Sequence, residues 1–240
     1  MKINHPLLRG RILKRYKRFL ADVRLDDGRE LTVHCANSGS MRGCWAPGWP
    51  CVISDSENPK RKLRHTLEMT HNGSCWIGVN TQHPNPLAEE AIRAGLIEPL
   101  RGYPEIHRER KYGGNSRIDL LLQNETERVY VEVKSVTLVE KGYYAFPDAV
   151  TARGLKHLRE LAAVKQAGHR AVMLFIIQRS DGRCFTPAGH IDPDYATMLR
   201  EAENHGVEIL CYRAGVYPGE IRIEERVDYC YQPAETLAGD

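Results

Sequence analysis

Two stretches, SRIDLLL at residues 116–122 and VYVEVKSV at residues 129–136, read as neighbouring strands. Residues two apart on a strand point to one face. Glu132 and Lys134 therefore project together, while Val131 and Val133 pack behind them. Asp119 interrupts an otherwise apolar run thirteen residues before Glu132, with residues 124–128 as the intervening loop. An antiparallel hairpin of that span predicts the two carboxylates side by side. A carboxylate in an apolar strand needs a partner, because burying it alone costs several kcal/mol. Arg117, two residues away on the same face, is one candidate. Two carboxylates and a lysine on one face suit a hard cation, Mg²⁺ or Mn²⁺. A cation so held binds a phosphate oxygen and acidifies a water, and a nearby ammonium orients that water and neutralises developing charge. This is the chemistry of phosphodiester hydrolysis. A salt bridge on a sheet surface explains Glu132 and Lys134 alone equally well; Asp119 tips the reading toward chemistry.

Working outward, strands are expected at 105–112, 116–123 and 128–135. A helix follows from Thr151, a good N-cap, to Gly168, a good C-terminal stop. Residues 171–178, AVMLFIIQ, form a nearly continuous apolar run, as for a strand covered on both faces. Asp192–His205 reads as a second helix stopped by Gly206, and 207–212 as another strand. The order βββαβαβ predicts a mixed sheet flanked by helices. At the first helix start, Arg153 and His157 lie four apart and share a face. With free helix N–H groups beside them they suit a phosphate. Asp148 is expected to cap the turn into this helix. Upstream, Leu87, Ala91, Ile92 and Leu96 recur at helical spacing over 86–97, and Glu90 flanks the buried face as a candidate third acid. Glu109 is a further candidate for the rim.

The first eighty residues read as β structure. Phe19, Ala21, Val23 and Leu25 alternate with polar residues, Asp27-Gly28 makes a turn, and Leu31, Val33 and Cys35 alternate again. Short strands at 50–54, 62–70 and 75–79 complete about five, as in a small OB barrel, and an SH3-like barrel reads the same way. The break His83-Pro84-Asn85-Pro86 divides the chain into a barrel at 1–82 and an α/β domain at 83–240. The barrel holds two basic clusters. RGRILKRYKR at 9–18 has six basic residues and no acid, and KRKLRH at 60–65 has four and a histidine. Lys14, Arg15, Lys17, Arg18, Arg61 and Lys62 are the expected contacts to phosphates of a nucleic acid. Residues 231–240 carry too little apolar surface to require order.

Composition bounds these readings. The 240 residues are 42% hydrophobic and 27% charged, ordinary for a folded chain, with a formal net charge of only +3. No run of eighteen apolar residues is present, and the basic N-terminus lacks the apolar core of a secretory signal. Seven cysteines without a CxxC pair argue against a zinc ribbon and a disulfide framework and fit a cytoplasmic location. No GxGxxG or GxxxxGK[ST] occurs, which argues against dinucleotide and P-loop sites. The remaining histidines lack metal spacing, Ser38 lacks a triad pattern, and Trp45, Trp49 and Trp76 suit the barrel core better than the base-stacking role also open to them.

HCANSGSM (34–41), NPKRKLRHT (58–66), VNTQHPNPLAEEAI (79–92), SRIDLLL (116–122), YVEVKSVTL (130–138) and FPDAVTARGLKHLREL (146–161) together resemble the sugar fermentation stimulation protein family of bacteria and archaea. The resemblance spans about residues 9–213 and implies an OB-like barrel followed by a PD-(D/E)XK nuclease-like domain. In that pattern the first acid matches Asp119, the E-x-K element matches Glu132 and Lys134, and the helix acid matches Glu90. It implies a cation on Asp119, Glu132, Glu90 and the Val133 carbonyl. It also implies sequence-non-specific DNA binding and an effect on maltose use. Ala36 and Ser38 stand where the family commonly has Pro and Thr, and Ile118 replaces the proline of the PD motif. The leading expectation is a DNA-binding protein with an Mg²⁺-dependent nuclease site and no membrane partner. A DNA-binding regulator of sugar metabolism with an idle site is the alternative, and a protein-interaction module is a third, weaker one.

Overall fold

The protein is described by a computed structural model covering residues 1–112 and 116–231. The tail at 232–240 lies outside the described residues. Six strands come first: β1 (Leu7–Tyr16), β2 (Leu20–Leu25), β3 (Glu30–His34), β4 (Pro50–Asp55), β5 (His65–His71) and β6 (Trp76–Gly78). β1 pairs antiparallel with both β2 and β4, β2 with β3, and β4 with β5. The parallel pair His34↔Thr66 joins β3 to β5 and closes the ring. The closed order β1-β2-β3-β5-β4, with β6 appended to β5, is that of an OB barrel and excludes the SH3-like alternative. Ile12, Val23, Val33, Ile53 and Leu67 fill its interior and are fully buried. Trp45 and Trp49 pack against this core, as expected of them.

β1 was hidden in the sequence by its charges. Its burial pattern shows only Gly10 and Ile12 buried, with cations at Arg9, Arg11, Lys14 and Arg15. It also sets the two basic clusters apart. Tyr16 lies at the β2 end and Leu7 pairs with Ser54 beside the β4–β5 loop. Lys17 and Arg18 of the first cluster and the whole of the second therefore sit at opposite ends of a strand about 30 Å long at ~3.3 Å per residue.

The chain then forms α1 (Pro84–Arg93), β7 (Glu105–Tyr112), β8 (Ser116–Gln123), β9 (Arg128–Val136), β10 (Leu138–Glu140), β11 (Tyr143–Phe146), α2 (Ala152–Gln166), β12 (Arg170–Ile177), β13 (Phe185–Pro187), α3 (Pro193–Asn204), β14 (Glu208–Tyr217) and β15 (Glu220–Arg226). The larger sheet runs β15-β14-β12-β9-β8-β7. Its centre, β9-β12-β14, is parallel, and its flanks are antiparallel. Helices α2 and α3 cover one face through Leu158, Leu161, Tyr195 and Leu199. The other face packs on α1 and on Val52 and Met69 of the barrel. A smaller sheet, β10-β11-β13, carries the chain from β9 toward α2. Thr151 caps α2 by accepting from Gly154 N at 3.0 Å.

The cysteine reading needs correction. Cys184 and Cys230 form a disulfide across 46 residues, while Cys35, Cys44, Cys51, Cys75 and Cys211 are free and buried. A parallel bridge between Phe185 and Tyr229 brings the pair together, and no sequence spacing signals such a meeting. Among the described residues, no helix is long and apolar enough to cross a membrane.

Candidate active site

The β8–β9 ladder runs from Gln123↔Arg128 to Leu120↔Val131 and stops there. The next position on each strand is Asp119 and Glu132. Here the strands part, and the Asp119 carboxylate takes over the backbone's role: Oδ2 accepts from Val133 N at 2.8 Å. Oδ1 accepts from Asn85 Nδ2 of α1, also at 2.8 Å. Arg117 is not the partner; it is exposed and pairs with Lys111 across the ladder.

Glu132 is 1% exposed and enters from the α2 side. Its Oε1 accepts from Lys134 Nζ at 2.7 Å and lies in contact with His157 Nδ1. Lys134 Nζ also lies 3.1 Å from His157 Nδ1, and Arg153 Nε donates to His157 Nε2 at 3.4 Å. Glu132 Oε2 is buried and, among the described residues, has no hydrogen-bond partner.

The two carboxyls are driven apart electrostatically. Burial, then the charge of Glu132, pushes Asp119 up to about 6 against the hydrogen bond from Val133 and the charge of Lys134. Burial also raises Glu132, but hydrogen bonds and charge from His157 and Lys134 outweigh it and hold this carboxyl below its ordinary range.

These groups line a cavity of about 420 Å³ together with Asn85, Ser135, Asp148, Val150 and Arg153. The barrel supplies its remaining wall, Asn37, Ser38, Gly39 and Thr81. That wall is fastened to the second domain by Asp148, whose Oδ2 accepts from Ser40 Oγ at 3.1 Å and Met41 N at 3.0 Å. Asp148 therefore does not cap α2 as expected. Gly39 is required at this contact, because a Cβ there would stand 2.6 Å from Asp148 Oδ2.

The expected site residues divide. Asp119, Glu132, Val133, Lys134, Arg153 and His157 meet in the cavity. Glu90 does not. It faces solvent on α1 and is paired with the Met1 ammonium at 2.6 Å. Five residues along a helix turn the side chain to a different face, so Glu90 cannot share the position of Asn85. Asn85 is the residue the sequence reading passed over, and its signal was the polar side chain within the Pro-Asn-Pro entry to α1. Glu109 sits exposed at an irregular point of edge strand β7.

The basic residues divide as well. Arg15 turns inward and donates through Nη2 to Asn37 O at 2.9 Å and Gly39 O at 3.0 Å, bracing the cavity wall. Lys14 pairs with Asp22 at 3.2 Å. Lys17 and Arg18 are exposed at the β1–β2 turn; Arg61 and Lys62 are exposed at the far end of the barrel.

The donor set fits a divalent cation in one respect: a buried carboxylate oxygen without a partner, beside a second carboxyl, is unfavourable unless a cation neutralises it. Among the described residues, no group of three or more His, Cys, Asp and Glu side chains is arranged to hold a metal. Asp119 and Glu132 would therefore hold one with help from backbone oxygen and water.

Comparison with known proteins bears on this arrangement. The family model "SfsA N-terminal OB domain" matches residues 13–79, and "Sugar fermentation stimulation protein RE domain" matches residues 82–220. The sugar fermentation stimulation protein homolog of Geotalea uraniireducens is 53% identical over 223 residues, covering 93% of this chain and 96% of its own. That of Citrifermentans bemidjiense is 54% identical over 224 residues, with 93% and 97% covered. A solved structure titled as Pyrococcus furiosus SfsA in complex with Ca²⁺ superposes with a TM-score of 0.87 at 28% identity, covering 95% of this chain and 97% of that one. With both domain models matched in order and relatives above half identity along nearly the whole length, this chain belongs to the sugar fermentation stimulation protein family.

Proposed function

We propose that this chain is a DNA-binding phosphodiesterase, a nuclease that uses Mg²⁺ or Mn²⁺ at the Asp119–Glu132 cavity. The observation that carries the reading is the Glu132 carboxylate, 1% exposed with Oε2 unpartnered, opposite an Asp119 whose proton is held to about 6. The Ca²⁺ named with the Pyrococcus furiosus relative supports a site for a hard divalent ion. When bound, such an ion polarises a phosphate oxygen and lowers the pKa of a water. Asp119 and Glu132 would hold it, with the Val133 carbonyl as the expected backbone ligand.

The chain's own groups do the rest. Arg153, at the start of α2, supplies a planar donor fork for a phosphate. Lys134 supplies a fixed ammonium that orients the attacking water and offsets charge developing on the phosphorus oxygens. His157, held by Glu132, fixes Lys134 and Arg153 in place. Asn85 and Val133 N fix the Asp119 carboxyl.

A second reading, DNA binding with an idle site, draws on one observation: the Lys134 ammonium is already engaged by Glu132 and His157. Cleavage of labelled single-stranded, duplex and flapped DNA, with Mg²⁺ or Mn²⁺ and with chelator, separates the two. Metal-dependent cleavage is expected, and Lys134→Ala should slow it about a hundredfold or more while metal binding measured by calorimetry persists. Asp119→Ala should abolish both. Cleavage surviving both substitutions sinks the nuclease reading, and DNA binding without cleavage leaves the idle-site reading.

A further inference from the structure

The turn between β1 and β2 presents Lys17, Arg18 and Phe19, all exposed, with Phe19 at 47%. Lys17 and Arg18 both hold left-handed backbone, with φ of 50° and 62°. Left-handed backbone favours asparagine and glycine, so long side chains at these two positions of the three-residue turn carry a conformational penalty. Among the described residues, neither cation has an ion pair or a side-chain hydrogen bond, and the Phe19 ring touches no other ring. Their neighbours differ: Lys14 is neutralised by Asp22, and Arg15 is spent on the carbonyls of the cavity wall. The turn thus offers solvent one aromatic ring beside two positive charges.

The turn is joined to the cavity by backbone. Phe19 O accepts from Cys35 N at 2.8 Å, and Asn37, two residues further, lines the cavity. At about 3.3 Å per residue and about 5 Å between strands, the turn stands on the order of 10 Å from that wall. Val150, also lining the cavity and 77% exposed, adds an apolar group to its margin.

We infer that Lys17, Arg18 and Phe19 dock an unpaired nucleic-acid strand, with Phe19 stacked on a base and the two cations on flanking phosphates, and lead that strand to the Asp119–Glu132 cavity. The inference rests on the phosphodiesterase reading and names its substrate class: single strands, or duplexes with a single-stranded end. In a closed duplex each base face is covered by its neighbour. An unpaired base offers a free face to an aromatic ring, and stacking there tolerates any sequence. The cluster at 60–62, a β1 length away, takes no part.

Fluorescence anisotropy of the full chain with labelled oligothymidylate and with a blunt duplex of equal length, both in chelator, tests this. The single strand should bind more tightly. Phe19→Ala should weaken single-strand binding about tenfold, within the range for losing one stacked base, and duplex binding less than about twofold. Phe19→Trp should keep the affinity and show quenching on addition of oligothymidylate. Replacing Lys17 and Arg18 by Ser should lower the salt slope by about 0.7 for each lost contact. Equal loss on both nucleic acids, no loss, or an unquenched Trp overturns the docking role. Metal-dependent cleavage surviving such a result leaves the phosphodiesterase reading standing; its absence, with the Phe19 effect present, removes that reading alone.

Discussion

Asp119 shows how a single side chain can be expensive by itself and useful in company. In the metal-free protein its carboxyl is raised from 3.8 to about 6. A raised acid stabilises the fold fully below the unfolded value and loses that contribution as pH climbs through the folded value. Protonated Asp119 therefore supports the metal-free protein below about pH 4, and the ionised form weighs against it above about pH 6. Two pKa units set a ceiling of ~3 kcal/mol. Asp119→Asn should make the metal-free protein more stable than the parent at about pH 7.5 and no more stable at about pH 4. Urea unfolding in chelator at the two pH values reads this directly, and a difference independent of pH would refute the assignment. The same variant should abolish stabilisation by added Mn²⁺. The sequence announced Asp119 and Glu132 because a charge inside an apolar strand is conspicuous. It did not announce Asn85 or the inward turn of Arg15, because a neutral amide and one arginine among many carry no such contrast.

Among the elements, legibility followed burial. Strands β7, β8, β9 and β12 and helices α2 and α3 were expected within a residue or two, since each has an apolar face or run ending at a cap. β10, β11 and β13 were missed: each has three or four residues, too few to show a period. β15 was missed because only Ile221 and Ile223 face inward amid acids and arginines. The cap of α2 was read correctly at Thr151, and it offers a clean test. Thr151→Ala leaves Gly154 N without its acceptor and should cost about 1 kcal/mol. Because α2 also carries His157 and Arg153, a crystal structure or spectral comparison of this variant should show the cavity intact. A loss above about 3 kcal/mol would mean the threonine does more than cap.

At the scale of the whole molecule, the joint between barrel and second domain combines the apolar packing of Val52 and Met69 with a buried polar contact. Arg179, 4% exposed, donates to Gly43 O of the barrel at 3.1 Å and to Thr137 O at 2.6 Å, and pairs with Asp181 at 2.6 Å. Asp181 also accepts from Asn72 of the barrel at 2.7 Å. Arg179→Ala should destabilise the protein by ~3–5 kcal/mol, since it strands a carboxylate and two carbonyls; thermal unfolding measures it. Burial raises Asp181, but Arg179 overrides it and holds this carboxyl at about 2. A lowered acid contributes above its unfolded value and fails as pH falls through the folded one. The joint should therefore weaken between about pH 4 and pH 2, and less so in Arg179→Ala.

That joint has a consequence for the covalent chain. The residues between Gly78 of β6 and Pro84 of α1 connect the two domains along the backbone, while Arg179, Asn72 and Asp148, with Val52 and Met69, connect them through space. Polypeptides 1–81 and 82–240, produced separately and mixed, should complement one another in trans. Each alone would hold an open half-cavity, the barrel without acids and the second domain without its wall of Asn37, Ser38 and Gly39. Reassembly on a sizing column, lost when Arg179 is replaced, would show that the peptide link is a tether and that the interface itself makes the site.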